Sequence, residues 1–244
     1  MKSLKELRKK NIKRSKEKIR ESVSEDNYIL NAINNIDDLA KVTNKLTKRL
    51  RDWYSIYLPE FSRKVSDNER FVELILEKDK DNIMGEMKIK ESMGKDLSKR
   101  DLDPIIGLAK KIDSLYDLRE ELKAYLEKVM GEYCKNLLSV AGALLGAKLI
   151  REAGSLKKMA MMPSSTIQLL GAETALFRHL KTGSKPPKHG VILQHPIVSS
   201  AKKRNRGKNA RILADKISLA AKTDYFKGEF IADRLLKELE DKTV

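Results

Sequence analysis

The chain has 244 residues and a formal net charge of +16, from 51 Lys and Arg against 35 Asp and Glu. With 35% charged, 41% hydrophobic and only 5% aromatic residues, it departs from average globular composition towards long helices with large solvated faces. Twelve Gly and six Pro are too few for a turn-rich all-β fold, and one cysteine, Cys134, excludes an internal disulfide framework. That cysteine usage fits a reducing, cytoplasmic compartment. The longest uncharged apolar stretch, Leu137 to Ala147, is far short of a membrane span. The first twenty residues alternate charge with isolated Leu and Ile, unlike a signal peptide.

The elements read as helices throughout. Leu4 to Leu58 carries Ile29, Ile33, Ile36, Leu39, Leu46, Leu50 and Trp53, mostly at three- and four-residue steps, and Pro59 ends the run. A second helix is predicted over Ser62 to Lys90, with poor period around Asp79 to Asp81, and the Gly94 region reads as a connection. Asp103–Pro104 reads as an N-cap followed by N1. Beyond it, Ile105, Leu108, Ile112, Leu115, Arg119, Leu122, Leu126, Val129 and Tyr133 alternate steps of three and four. That is a heptad seam with a charged interruption at Arg119, and it implies an antiparallel hairpin that buries its seam on a second copy or inside a bundle. Leu137 to Ile150 reads as one buried helix, with Gly142 and Gly146 allowing close approach. Gly154 and Ser155 read as a C-cap and a new N-cap. Pro163, a helix from Gly171 to Lys181, a Pro-stiffened loop and a final helix over about Arg206 to Phe226 complete the chain.

The charge is concentrated. Residues 1–20 carry +8 and residues 178–211, which contain no acid, carry +10, so the other 190 carry −2 of the total. The first segment fits a solvated helix face as well as a polyanion contact; the second points to polyanion binding, because solvated faces interleave Glu and Asp. Lys188, Arg204, Arg206, Lys208 and Arg211 crowd around the start of the last helix, whose free N–H groups add positive potential. His189, Gln194 and His195 supply groups that could read an RNA loop or stem end, with a core role for His195 left open. Phosphate-binding glycine loops, HExxH, GxSxG and CxxC are missing, so no catalytic residue is assigned. No carboxylate or thiolate accompanies His179, His189 and His195, which argues against a metal site, and no cofactor is implied.

The stretch Leu170–Gly–Ala–Glu173, Ala175 to Leu180, Lys181–Thr–Gly183, Pro186 to Gly190, Gln194–His–Pro196, Arg206–Gly–Lys208 and Asp224–Tyr–Phe226 closely resembles the Nop domain, in the form found in archaeal box C/D small ribonucleoprotein particles. Upstream, Ile36–Asp–Asp–Leu39, Trp53–Tyr–Ser55 and Ser92–Met–Gly94 extend the resemblance over essentially the whole chain. Thr174 stands where the family usually has Lys, Asn209 where an apolar residue is common, and Lys135 where proline is frequent.

The resemblance implies an all-α fold: connecting helices over 1–63, a long antiparallel coiled-coil hairpin over 64–130, and a compact helical Nop domain over 131–244. It implies a non-enzymatic scaffold that binds a kink-turn guide RNA together with a small ribosomal-protein-like kink-turn binder. Gly171, Ala172, Glu173, Arg178 and Lys181 are the expected particle contacts. Self-association is expected through Ile105, Leu108, Ile112, Leu115, Leu122 and Leu126. A separate methyltransferase, fibrillarin, would modify target RNA. Family members recruit it through a domain before the first helix, so a chain beginning at Met1 of this sequence is expected to be truncated and not to bind fibrillarin. The alternative is a basic coiled-coil protein that coats nucleic acid without specificity.

Overall fold

The computed structural model describes residues 4–242; Lys2, counted above in the first basic segment, lies outside them. Every regular element among the described residues is helical, as the composition and periodicity predict. The chain divides into two compact units, one of residues 34–124 and one of residues 1–33 with 125–244.

The unit of residues 34–124 holds most of α2 (Glu25–Tyr54), then α3 (Pro59–Lys64), α4 (Asn68–Glu77), α5 (Lys80–Glu86) and most of α6 (Lys99–Tyr133). The single helix predicted over Ser62 to Lys90 is three short ones. Asp67 interrupts it by accepting from the Arg70 N–H at 2.8 Å as an N-cap. α6 begins at Lys99, earlier than Asp103–Pro104 suggests; the Ser98 hydroxyl donates to Asp101 at 2.7 Å, and Pro104 sits inside the helix. Leu50, Tyr54, Phe61, Phe71, Ile75, Ile105, Ile112 and Tyr116 share one core, in which the Phe61 and Phe71 rings stack 4.7 Å apart.

This core takes up much of the seam within the chain, as the bundle alternative expects. Ile105 and Ile112 are fully buried among residues of their own chain, and Leu126 is also fully buried. Leu108 packs on the same core and is half-buried, as are Leu115 and Leu122. Ile105, Ile112 and Leu126 are therefore core residues within this chain. The interruption at Arg119 has a local cause. Its guanidinium donates to Glu69 on α4 at 2.9 Å and lies 5.0 Å from the Tyr116 ring centroid.

Arg51 organises the turn between α3 and α4. It donates to Asn68 Oδ1 and to the carbonyls of Ser62, Val65, Ser66 and Asp67, while its guanidinium lies 4.2 Å from the Phe71 ring centroid. Only a planar fork reaches so many acceptors from one side chain. Arg51→Lys keeps the charge but leaves carbonyls unpaired, and is expected to cost about 2 kcal/mol in urea melts. An unchanged midpoint would show that the turn is held by its apolar contacts alone.

The other unit contains α1 (Leu4–Glu21), the start of α2, the end of α6, and eight further helices. These are α7 (Lys135–Ala141), α8 (Ala143–Ala153), α9 (Leu156–Met161), α10 (Ser164–Leu169), α11 (Glu173–Thr182), α12 (Pro196–Ser199), α13 (Arg206–Tyr225) and α14 (Ala232–Lys242). A 3₁₀ turn, Val191–Gln194, precedes α12. The helix predicted over Leu137 to Ile150 breaks at Gly142, whose φ of +76° leaves the helical region. α13 is the hub: it packs on α7, α9, α10, α12 and α14, and buries Leu213, Ala214, Ile217, Ala220 and Ala221. α14, absent from the sequence reading, closes over it with Leu235 and Leu239, and the buried Lys216 ammonium pairs with Glu238. No helix among the described residues is long and apolar enough to cross a membrane.

Asp26 is the buried carboxylate of this unit. It accepts from the Leu156 N–H at 3.0 Å and from the Tyr133 hydroxyl. Burial nevertheless raises its pKa above the ordinary carboxylate range. The folded chain therefore binds this proton at higher pH than the unfolded chain does. Stability from this group rises as pH falls through the folded-state pKa and is lost as pH rises. Paired melts of wild type and Asp26→Asn between about pH 7 and about pH 4 should show the difference moving in favour of the wild type towards acid. A difference independent of pH would mean that the carboxylate is not desolvated.

Candidate nucleic-acid interface

The acid-free segment folds around the N-terminal end of α13. Residues 168–170 and 188–191 run side by side: Gly190 N–H donates to the Gln168 carbonyl at 2.9 Å, Val191 N–H to Leu170 at 2.8 Å, and Gln168 Nε2 to the Lys188 carbonyl at 2.6 Å. At Gly190 the backbones approach so closely that a Cβ would stand 1.8 Å from the Leu170 carbonyl oxygen. This pairing presses Lys188 against α13, its Cδ 3.4 Å from where a Cβ on Gly207 would stand. Lys188, Arg204, Lys208 and Arg211 are exposed there, and His189 is half-buried.

Between α12 and α13 the chain forms an open cleft of about 500 Å³, lined by Ile197, Ser200, Ala201, Lys202, Arg204, Asn205 and Asn209. Arg206 builds this cleft from inside. Its Nε donates to the Ala201 carbonyl and its Nη2 to that of Ser199, both at 3.1 Å. Arg206 thus shapes the loop, whereas Lys202, Arg204, Lys208 and Arg211 point their charge to solvent. Asn209, unusual beside the resembling family, is buried and donates to the Ile197 carbonyl at 3.0 Å, tying α12 to α13.

His195 is placed differently from the RNA contact the sequence suggests. Its Nδ1 accepts from the Ile197 N–H at 3.3 Å as the N-cap of α12, and the ring also hydrogen-bonds the Val140 carbonyl. Burial lowers its pKa, which keeps the capping nitrogen unprotonated near neutrality. His195 is therefore engaged within the chain as a helix cap. Gln194 is exposed, its Oε1 accepting from Lys148 at 3.0 Å. His179 bonds the Ser184 carbonyl, closing the turn after α11. Among the described residues no group of three or more His, Cys, Asp or Glu is placed to hold a metal ion.

α11 projects beside this surface. Gly171, Glu173, Arg178 and Lys181 are exposed and Ala172 is half-buried; Glu173 Oε1 accepts from the Gly171 N–H at 2.8 Å. No side chain of α11 is buried. Phe177 and Leu180 are 61% and 69% exposed, an apolar pair three residues apart on the face that carries Glu173. Their exposure was not legible in the sequence, where the same spacing reads as a core-facing stripe.

An acid-free cationic segment gathered at the start of α13, beside a helix with exposed apolar side chains, has the features of a polyanion-docking surface. The comparisons are more specific: the chain belongs to the Nop family, whose profile, described as "snoRNA binding domain, fibrillarin", matches residues 35–243. It is 44% identical over 233 residues to an uncharacterized NOP5 family protein of Methanocaldococcus jannaschii, covering 89% of this chain and 56% of that protein. It is 37% identical over 222 residues to nucleolar protein 56 of Schizosaccharomyces pombe, covering 82% of this chain and 45% of that protein. The chain thus spans about half the length of the curated relatives it matches. Among solved structures, a chain of a fibrillarin/Nop5p complex aligns with a TM-score of 0.57 and 26% identity, over 98% of this chain and 78% of that one.

The close approach at Gly190 provides a test of how the interface is built. Gly190→Ala is expected to cost about 1–3 kcal/mol by forcing the paired segments apart, with weaker RNA binding. Gly207→Ala meets only the flexible Lys188 stem and should leave the melting midpoint near that of the wild type. Equal behaviour of the two variants would contradict the pairing.

Proposed function

We propose that this chain is a non-catalytic scaffold subunit of a box C/D guide ribonucleoprotein. It binds kink-turn RNA through the surface at the start of α13 and docks on the small protein that already holds the kink-turn. The observation that carries this reading is the exposed set Lys188, Arg204, Lys208 and Arg211, with no acid between residues 178 and 211. Free N–H groups at the start of α13 add positive potential where these side chains converge. Phosphates fit this chemistry, and the scarcity of aromatic side chains there disfavours a single-strand stacking groove.

The bare face of α11 supports a protein partner beside the RNA. Phe177 and Leu180 provide an apolar centre, with Glu173, Arg178 and Lys181 as a polar rim. Self-association, if it uses α6, falls to its half-buried positions Leu108, Leu115 and Leu122. Methylation of a target 2′-hydroxyl belongs to a separate methyltransferase, with this chain supplying geometry.

Binding of a kink-turn RNA, with and without its small protein, across a salt series tests the proposal. The scaffold reading expects much tighter binding once the small protein is present. Lys208→Gln with Arg211→Gln should flatten the salt slope by about 0.7–0.9 per lost phosphate contact, and Phe177→Ser should weaken only the partner-dependent increment. Affinity indifferent to the small protein would favour a coating protein instead.

A further inference from the structure

α1 is an 18-residue helix that buries none of its side chains and precedes the part of the chain matched by the family profile. At 3.6 residues per turn, Lys9, Lys13, Lys16 and Arg20 fall within a sector of about 60°. All four are exposed, and none of their side chains has an ion-pair or hydrogen-bond partner among the described residues. Lys5 heads the same row. The acids Glu6, Glu17 and Glu21 lie beyond one edge of this sector, with Lys10 and Arg14 on the same side; Ile12 and Ile19 lie beyond the other edge, and Leu4 and Leu7 on the far side of the helix.

We propose that this row is a second RNA-binding element, which lies along the phosphate backbone of an RNA duplex. Three features select that occupant. Four like charges without partners, on a face that contributes nothing to any core, repel one another and gain most from a polyanion. Their spacing covers about 16 Å of a straight helix, which suits a stiff, regular backbone better than a small anion. No aromatic residue precedes Tyr28, so the stacking platforms that hold single strands are missing. A second copy of α1 is disfavoured, since each helix carries nine Lys and Arg against three Glu. The choice of RNA over DNA rests on the scaffold reading above; the contact itself does not.

The test uses the full chain and a fluorescein-labelled RNA duplex of about 20 base pairs without a kink-turn, by anisotropy across a salt series. The quadruple variant Lys9→Gln, Lys13→Gln, Lys16→Gln and Arg20→Gln should reduce the salt slope by about 3, as expected for four phosphate contacts. Duplex binding should weaken at least about tenfold, with circular dichroism unchanged. A companion variant with Leu4, Leu7 and Ile19 changed to Ser should bind the duplex like wild type. Wild-type affinity and slope in the quadruple variant would overturn the proposal. So would loss of binding confined to the apolar variant, which would mark α1 as a protein-docking helix. Kink-turn RNA with its small protein separates the two readings, because that complex depends on Lys208 and Arg211 and not on the α1 row.

Discussion

The unit of residues 1–33 and 125–244 depends on one carboxylate. Asp224, in the last turn of α13, accepts from the Asn136 N–H at 3.1 Å, from Asn136 Nδ2 at 2.8 Å and from the Leu137 N–H at 2.8 Å. The fully buried Asn136 in turn accepts from the Ile231 N–H at 2.7 Å and donates to the Glu229 carbonyl. A carboxylate at a helix C-terminus faces the negative end of its own dipole, so this position is unfavourable for α13 alone. It is favourable because the same oxygens cap the free N–H groups at the start of α7, where charge-assisted hydrogen bonds replace lost solvent. Asp224 and Asn136 therefore fasten the end of α13, the start of α7 and the entry to α14 at one point.

That point governs the cationic surface at a distance. α13 is a rod of about 30 Å, clamped at its C-terminal end and packed along its length by α7, α9, α10 and α14. Its other end carries Arg206, Lys208 and Arg211, and the His195-capped α12 and the Gly190 pairing set the neighbouring loops against it. Like charges held together repel, so their convergence requires a body that supplies the opposing stability elsewhere. The rest of this unit, with its apolar hub, is such a body. The cations can then be placed for a ligand without holding the fold together.

Legibility in the sequence followed range. The α6 periodicity, the Gly154 and Ser155 caps and the acid-free segment are properties of neighbouring residues, and the structure has all three. What periodicity could not separate was a seam facing a second copy from one facing the chain's own core. Ile105 and Ile112 have the same spacing in either case, and only Phe61 and Phe71, brought in by α3 and α4, decide it. Asp224 with Asn136 and Arg51 with the Ser62–Asp67 turn were equally hidden. Each joins positions 11 to 88 residues apart through polar atoms that carry no period. α14 lies beyond Phe226, where the sequence reading ended the last helix.

The basic segment shows how charge density overstates the number of ligand contacts. A formal count assigns residues 178–211 ten cations of one kind. Arg206 has its guanidinium on the carbonyls of Ser199 and Ala201, so its hydrogen-bonding capacity is partly used in shaping the cleft. His195, grouped with these residues by proximity, is a neutral cap. Lys188 lays its stem on Gly207 and leaves its ammonium outside, an arrangement in which the apolar part of the side chain packs while the charge remains available. The division follows from chemistry. Arg, with a planar fork of several donors, can satisfy carbonyls and still carry its charge. Lys places a point charge at the end of a flexible stem and serves phosphate best. An acid-free surface built this way uses some of its cations to hold its own loops, and those cations still add to the field that an approaching phosphate meets.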